Sequence, residues 1–207
     1  WPLAKIRANK TPIAWGAYQP PVPRALGRRV FKNFDLAELA AFIDWGPSFQ
    51  TWHLAGPYPA ILTDAVVGEQ AQRVFADGQA MLKKIIEGRW LQASGVMALL
   101  PANSVGDDIE FYTDDTRSEV AMTWYGLRQQ TEKHADDGPN GEKITRPSRC
   151  LADFVAPKDS GIADYAGLFA VTAGLGIAKK EQAFIDAHDD YSAILFKSLA
   201  DRLAEAF

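Results

Sequence analysis

Two segments that both read as β-strands are separated only by the short stretch from Leu100 to Ile109, and that interval settles the class of fold. Gly95-Val-Met-Ala-Leu-Leu100 is a short apolar run of the kind that forms a buried strand. Ile109-Glu-Phe-Tyr-Thr113 alternates apolar and polar residues, as a half-buried strand does. Gly106-Asp107 supplies turn chemistry between them. A parallel pair needs a crossover of a dozen or more residues, and there is no room for one here. Strands joined by tight turns with helical patterns on both sides predict an α+β fold. Its sheet is antiparallel or mixed and flanked by helices, with an extended N-terminal linker and a long C-terminal helix.

The helical patterns are equally specific. Asp35 is a good N-cap with Glu38 three residues on, and Leu36, Leu39, Ala40 and Ile43 follow at helical spacing. That predicts a short helix over 36–43, ended by Gly46-Pro47. A longer helix is predicted from about Gly68 to Glu87, on the stripe Val67, Ala71, Val74, Phe75, Met81, Leu82, Ile85 and Ile86. Gly78 is its weak point, at about 1 kcal/mol relative to Ala. Val120–Tyr125 fits a third strand or a helix start, and Tyr165–Thr172 a further strand. Lys179–Phe207 reads as helical, with Phe184, Ile185, Ile194, Leu195, Leu199 and Leu203 on its apolar side.

Residues 1–30 carry Pro2, Pro12, Pro20, Pro21 and Pro23, which predicts an extended interdomain linker ahead of a domain over 31–207. Residues 132–149 are polar and rich in Gly and Pro, the signature of an exposed loop. A net charge of -4 argues against a partner recognised through phosphate neutralisation, so no nucleic acid is expected. No stretch approaches the roughly 18 apolar residues that span a bilayer. The single cysteine, Cys150, cannot form an intrachain disulfide and suits a reducing cytoplasm.

Few residue patterns point to chemistry. His53, His134 and His188 stand far apart and share no metal-ligand spacing with Cys150, which reads as a small buried thiol. Gly174-Leu-Gly176 lacks the third glycine of a dinucleotide fingerprint, since Lys179 stands in its place. The acidic pairs Asp107-Asp108, Asp114-Asp115 and Asp189-Asp190 suit turns and caps better than catalysis, because neighbours on a strand face opposite ways. His188-Asp-Asp-Tyr191 places polar groups inside an otherwise apolar helix and remains a candidate for function. Asp44 is the most informative single residue. It precedes Trp45 and Gly46-Pro47, so its carboxylate either satisfies backbone donors at a turn or is offered to a cationic ligand group beside an aromatic wall.

Several segments, read together, resemble one family. Ile43-Asp44-Trp45-Gly-Pro47, Thr51-Trp52-x-Leu-Ala-Gly56, Pro101-Ala-Asn103, Gly106-Asp-Asp108, Leu127-Arg-Gln-Gln-Thr-Glu-Lys133, Cys150-Leu-Ala-Asp-Phe-Val-Ala-Pro-Lys158, His188-Asp-Asp-Tyr191 and Leu199-Ala-Asp-Arg-Leu-Ala-Glu-Ala-Phe207 stand in this order. Together they resemble the S-adenosylmethionine-binding activation module at the C-terminus of cobalamin-dependent methionine synthase, a methyltransferase. The resemblance runs from about residue 12 to residue 207.

The resemblance implies a module that offers S-adenosylmethionine for reductive methylation of cob(II)alamin. Its partners would be the cobalamin-binding domain of the same enzyme and a flavodoxin-type electron donor. Such a module positions a methyl donor and needs no acid or base of its own. Residue by residue, Asp44 matches the family's ligand-binding acid. Glu205 matches an acid near the same site, and Asp201 is expected to border the cobalamin domain. The family's Arg-x-x-x-Gly-Tyr segment does not occur in this sequence. The expectation is therefore a truncated module that binds S-adenosylmethionine weakly or not at all. The alternative is an interaction module that docks on a cobalamin protein or flavodoxin without that ligand.

Overall fold

The computed structural model describes residues 1–132, 135–137 and 143–207. The elements, in chain order, are α1 (Leu3–Ala8), β1 (Gly27–Phe34), α2 (Leu36–Ala40), α3 (Gly46–Thr51), α4 (Gly68–Glu87), β2 (Gln92–Val105), β3 (Asp108–Tyr112) and β4 (Val120–Trp124). They continue with β5 (Ala135–Asp137), β6 (Lys143–Thr145), β7 (Asp164–Leu175), α5 (Ile177–Asp186) and α6 (Asp190–Glu205). One sheet has the order β1-β2-β3-β4, with β7 also paired to β2, while β5 and β6 form a separate antiparallel pair. The α+β class read from the sequence holds. The β2–β3 and β3–β4 pairings are antiparallel, and β2 turns into β3 over Gly106-Asp107 with Val105 opposite Asp108. Gly106 takes φ 65° at the first loop position, where a tight hairpin of this hand needs glycine.

The chain forms two compact units, residues 1–28 with 98–168 and residues 29–97 with 169–207. The first unit is built on Ala102, Ile109, Phe111, Cys150, Ala152 and Val155. Within its N-terminal stretch, residues 3–8 form α1 where extended chain is expected. Pro2 occupies the N-cap position of α1 with an extended backbone, and Ile6 is wholly buried. Proline at a helix start removes a donor that would be unsatisfied anyway, so Pro2 initiates α1 instead of preventing it. Ser148 donates its backbone N–H to the Asn9 carbonyl (2.8 Å), and the Thr11 N–H donates to Asp153 (3.3 Å). Part of the expected loop at 132–149 is also ordered, as β5 and β6, whereas His134 lies outside the described residues.

A buried ionic knot holds this unit. Arg128 donates to both carboxylate oxygens of Asp153 (2.7 and 2.6 Å), to Asp107 (2.9 Å) and to the Ser148 carbonyl (2.7 Å). Arg7 adds a second cation on Asp107 at 2.8 Å. Burial on its own would raise the Asp153 carboxyl. Hydrogen bonds from Arg128 and from the Cys150 and Thr11 amides outweigh it and hold the group below the usual carboxylate range. Asp107 is lowered in the same way by Arg7 and Arg128 against its own burial.

The second unit packs α4 against α6, with Met81, Leu82 and Ile85 facing Leu195, Phe196, Leu199 and Leu203. Each such side chain contributes about 1.5–3 kcal/mol when fully buried. The expected helix at 68–87 appears with those bounds. The expected C-terminal helix is two helices. After α5 the chain reverses at His188 (φ 56°), and Asp189 caps α6 by accepting from the Ser192 N–H at 3.0 Å. His188 and Asp189 donate their N–H groups to the carbonyls of Ile185 and Phe184, a Schellman ending with histidine in the left-handed position. His53 ends α3 and Arg89 ends α4 in the same way. Both located histidines thus serve helix termini.

Two stability predictions follow from these contacts. A Cβ on Gly88 would collide with the Trp90 indole nitrogen and lie 2.8 Å from the Lys84 carbonyl, whereas Arg89 adopts φ 48°. Gly88→Ala should therefore lower the melting temperature, by the equivalent of about 1–3 kcal/mol for overpacking. Arg89→Gly should stay within about 1 kcal/mol of the parent, relief of the left-handed residue offsetting added backbone entropy. In the first unit, Arg128→Met should cost about 3–5 kcal/mol by leaving Asp153 buried and unpaired. Because both folded carboxyls are lowered, their contribution is complete above the unfolded carboxylate range near pH 4 and is lost as pH falls below it. Denaturant titrations at falling pH should show that loss in the parent and a flatter profile in Arg128→Met.

Candidate functional site

Asp44 sits between α2 and α3, on an exposed turn. Its Oδ1 accepts the Gly46 N–H at 2.9 Å, so the local turn role considered from the sequence is real. It occupies one oxygen of an exposed side chain and leaves the other free of hydrogen bonds among the described residues. Gly46-Pro47 does not end the preceding helix as expected. Asp35 caps α2 by accepting from the Ala37 N–H (2.9 Å), α2 stops at Ala40, and Gly46-Pro47 opens α3 with proline in its first turn. A Gly-Pro pair suits the start of a helix as well as its end, and the spacing alone does not separate the two.

Trp45 fixes where Asp44 stands. Its ring lies edge-on to Phe75 (centroids 4.9 Å), and a Cβ on Gly78 would come within 3.1 Å of it. Gly78, a weak point for the helix in the sequence, is thus the position that lets the Trp45 ring sit against α4. Trp52 at the other end of α3 packs on Tyr191 with centroids 4.7 Å apart. Tyr191 in turn donates its hydroxyl to Asp77 at 2.7 Å. The segment carrying Asp44 and α3 is therefore fixed at both ends, on α4 and α6.

Beyond Asp44, a groove of about 360 Å³ opens between α3 and α6. Pro47 and Thr51 form one wall, and Lys197, Asp201 and Arg202 line the other. Arg202 is nearly buried and pairs with Asp201 (2.8 Å) and with Glu205 (3.5 Å). The structure thus brings Asp201 to the groove directly and Glu205 through Arg202. Neither Asp44 nor Glu205 lines it, and no hydrogen bond or ion pair joins those two among the described residues. Lys197 and Arg202 did not stand out in the sequence. The available signal is the Arg202-x-x-Glu205 spacing, which puts the arginine beside that acid on one helix face.

The remaining polar motifs resolve into structural roles. Asp114 accepts from the Thr116 N–H (2.9 Å), Asp108 accepts from the Gly126 N–H (3.0 Å), and Asp107 belongs to the ionic knot. The His188–Tyr191 motif supplies a helix end, a cap and the Tyr191–Asp77 bond. Gly176 starts α5 at φ 99°. Cys150 is buried, its thiol on the Asp107 carbonyl at 3.3 Å. Among the described residues, no cluster of His, Cys, Asp and Glu could hold a metal ion, and no helix is long and apolar enough to cross a membrane.

Fold and site together present a carboxylate on a braced turn, a charged groove beside it, and no converging acid–base pair among the described residues. Residues 35–207 match the activation domain of vitamin B12 dependent methionine synthase, and the chain belongs to that family. It is also similar to a crystal structure of the MetH reactivation domain bound to AdoHcy, with 49% sequence identity and a TM-score of 0.85. That match covers 100% of this chain and 60% of the other.

The Tyr191–Asp77 bond gives a direct test of how α6 is braced. Burial first, and then the Asp77 carboxylate, push the Tyr191 phenol up to about 12. A raised folded value means that its stabilising effect is complete below the ordinary tyrosine range and is lost as pH rises through about 12. Ultraviolet titration should find Tyr191 and Tyr112 ionising late, and Asp77→Asn should move the Tyr191 step alone back toward the ordinary range near 10.

Proposed function

We propose that this chain binds S-adenosylmethionine and presents it for reductive methylation of cob(II)alamin, within a cobalamin-dependent methionine synthase. The observation that carries this reading is the Asp44 carboxylate, held outward on a turn braced by Trp45 against α4. Family membership and the AdoHcy-bound relative support the ligand class. The residues present fit a cationic ligand. Asp44 offers a carboxylate oxygen to an amino or adenosyl donor, and the neighbouring helix face carries the acids Asp201 and Glu205, each paired with Arg202. Arg202 holds those two acids in place and keeps the helix face from being acidic throughout.

When bound, S-adenosylmethionine would supply the methyl group. Together with one electron from a flavodoxin-type donor, that methyl group would restore cob(II)alamin to its methylated form, with S-adenosylhomocysteine as the leaving product. The chain's own residues bind and orient the donor and need not move a proton, so the rate advantage comes from placement. In this reading the cobalamin is held by a neighbouring domain, and Asp201 borders that domain.

Titration calorimetry with S-adenosylhomocysteine tests the proposal, on a protein carrying this sequence at the full length of the 49%-identical relative. Asp44→Asn should weaken binding by about tenfold or more, the scale of one hydrogen bond to a charged group. Glu205→Gln should have a smaller effect. Unchanged affinity in Asp44→Asn would remove Asp44 from the site. No binding by the parent would favour an interaction module that docks without this ligand.

A further inference from the structure

A second polar pocket of about 500 Å³, away from Asp44, lies where β1 leads into α2 and α4 leads into β2. Its rim carries Asn33, Asp35, Arg89 and Gln92, and its floor is apolar, formed by Leu36, Ile86 and Leu91. Small-molecule sites commonly pair an apolar floor with a few convergent polar groups in this size range. Leu36 and Leu91 are buried and belong to the main core of the unit, so the floor is fixed.

The rim groups are unspent. Among the described residues, the side chains of Arg89, Asn33 and Gln92 make no hydrogen bond or ion pair. Asp35 uses Oδ1 to cap α2 and leaves its other oxygen without a recorded partner. Arg89 and Asn33 both hold left-handed backbone conformations, φ 48° and 49°. Glycine would serve the end of α4 at the Arg89 position with less strain. A cation for the helix terminus is already present in Lys84. Capping alone therefore does not account for an arginine at this position, lining a pocket and unpaired among the described residues.

We propose that this pocket binds a free α-amino acid with an aliphatic side chain. The Arg89 guanidinium takes the carboxylate as a planar fork, the open oxygen of Asp35 takes the ammonium, and the Asn33 and Gln92 amides complete the polar ring. The aliphatic side chain rests on Leu36, Ile86 and Leu91. An anion alone would leave Asp35 unmatched, and an apolar molecule would leave the arginine unmatched, so the rim favours a zwitterion.

The test is an amide-resolved NMR titration of this chain with L-leucine, beside acetate and isobutylamine, which each carry half of the charge pattern. Leucine should shift the amides of Leu36, Leu91 and Gln92 saturably, and both half-ligands should do so more weakly. Arg89→Gly suits the left-handed backbone and so keeps the fold. It should weaken leucine binding by about tenfold or more. Asp35→Ser keeps an N-cap oxygen while removing the charge, and should weaken leucine but not acetate. Asp44→Asn should leave leucine binding unchanged, which separates this site from the one proposed above. Equal response to leucine and acetate, no saturable response, or insensitivity to Arg89→Gly would each overturn the proposal.

Discussion

The packing of α6 against α4 is the contact on which the second unit depends. Leu195, Phe196, Leu199 and Leu203 are almost wholly buried, and the facing residues Met81, Leu82 and Ile85 come from one stripe of a twenty-residue helix. With these two helices set, α3 is anchored at both ends: Trp45 on α4 at Gly78, and Trp52 on Tyr191 of α6. The position of Asp44 follows from that bracing more than from its own bonds, since one backbone donor alone would hold an exposed turn weakly.

The first unit is held by different means. It has a smaller apolar cluster, and its irregular segments around α1, Ser148 and Cys150 converge on one buried guanidinium and the two carboxylates it holds. A buried charge pair is costly to desolvate, and it adds order only when its hydrogen bonds are nearly complete. Arg128 meets that condition, with two carboxylates and one carbonyl around it. The knot joins residues from distant parts of the sequence, so loops without regular structure acquire one arrangement.

Much of the fold was legible because periodicity is a direct physical signal. The stripe at 68–87, the alternation at 109–113 and the tight Gly106-Asp107 turn each gave a correct element. The misses share a cause. Proline at residue 2 and Gly46-Pro47 were read as breakers, yet at a helix start proline has no hydrogen bond to lose. The division between α5 and α6 was hidden because histidine, not glycine, takes the left-handed position at residue 188. At the site, the motif around Asp44 was visible through family resemblance. The groove partners Lys197 and Arg202 depend on how α6 meets α3, and only tertiary packing supplies that.

The single thiol is sealed inside the first unit, at 4% exposure, with its sulfur on a backbone carbonyl and Gly126 packed close beside it. A reagent can reach it only when that unit opens, so the rate of thiol modification would act as a clock for the opening. With no other cysteine in the chain, the signal has one source. The lone cysteine is thus a built-in reporter of how often its own surroundings come apart.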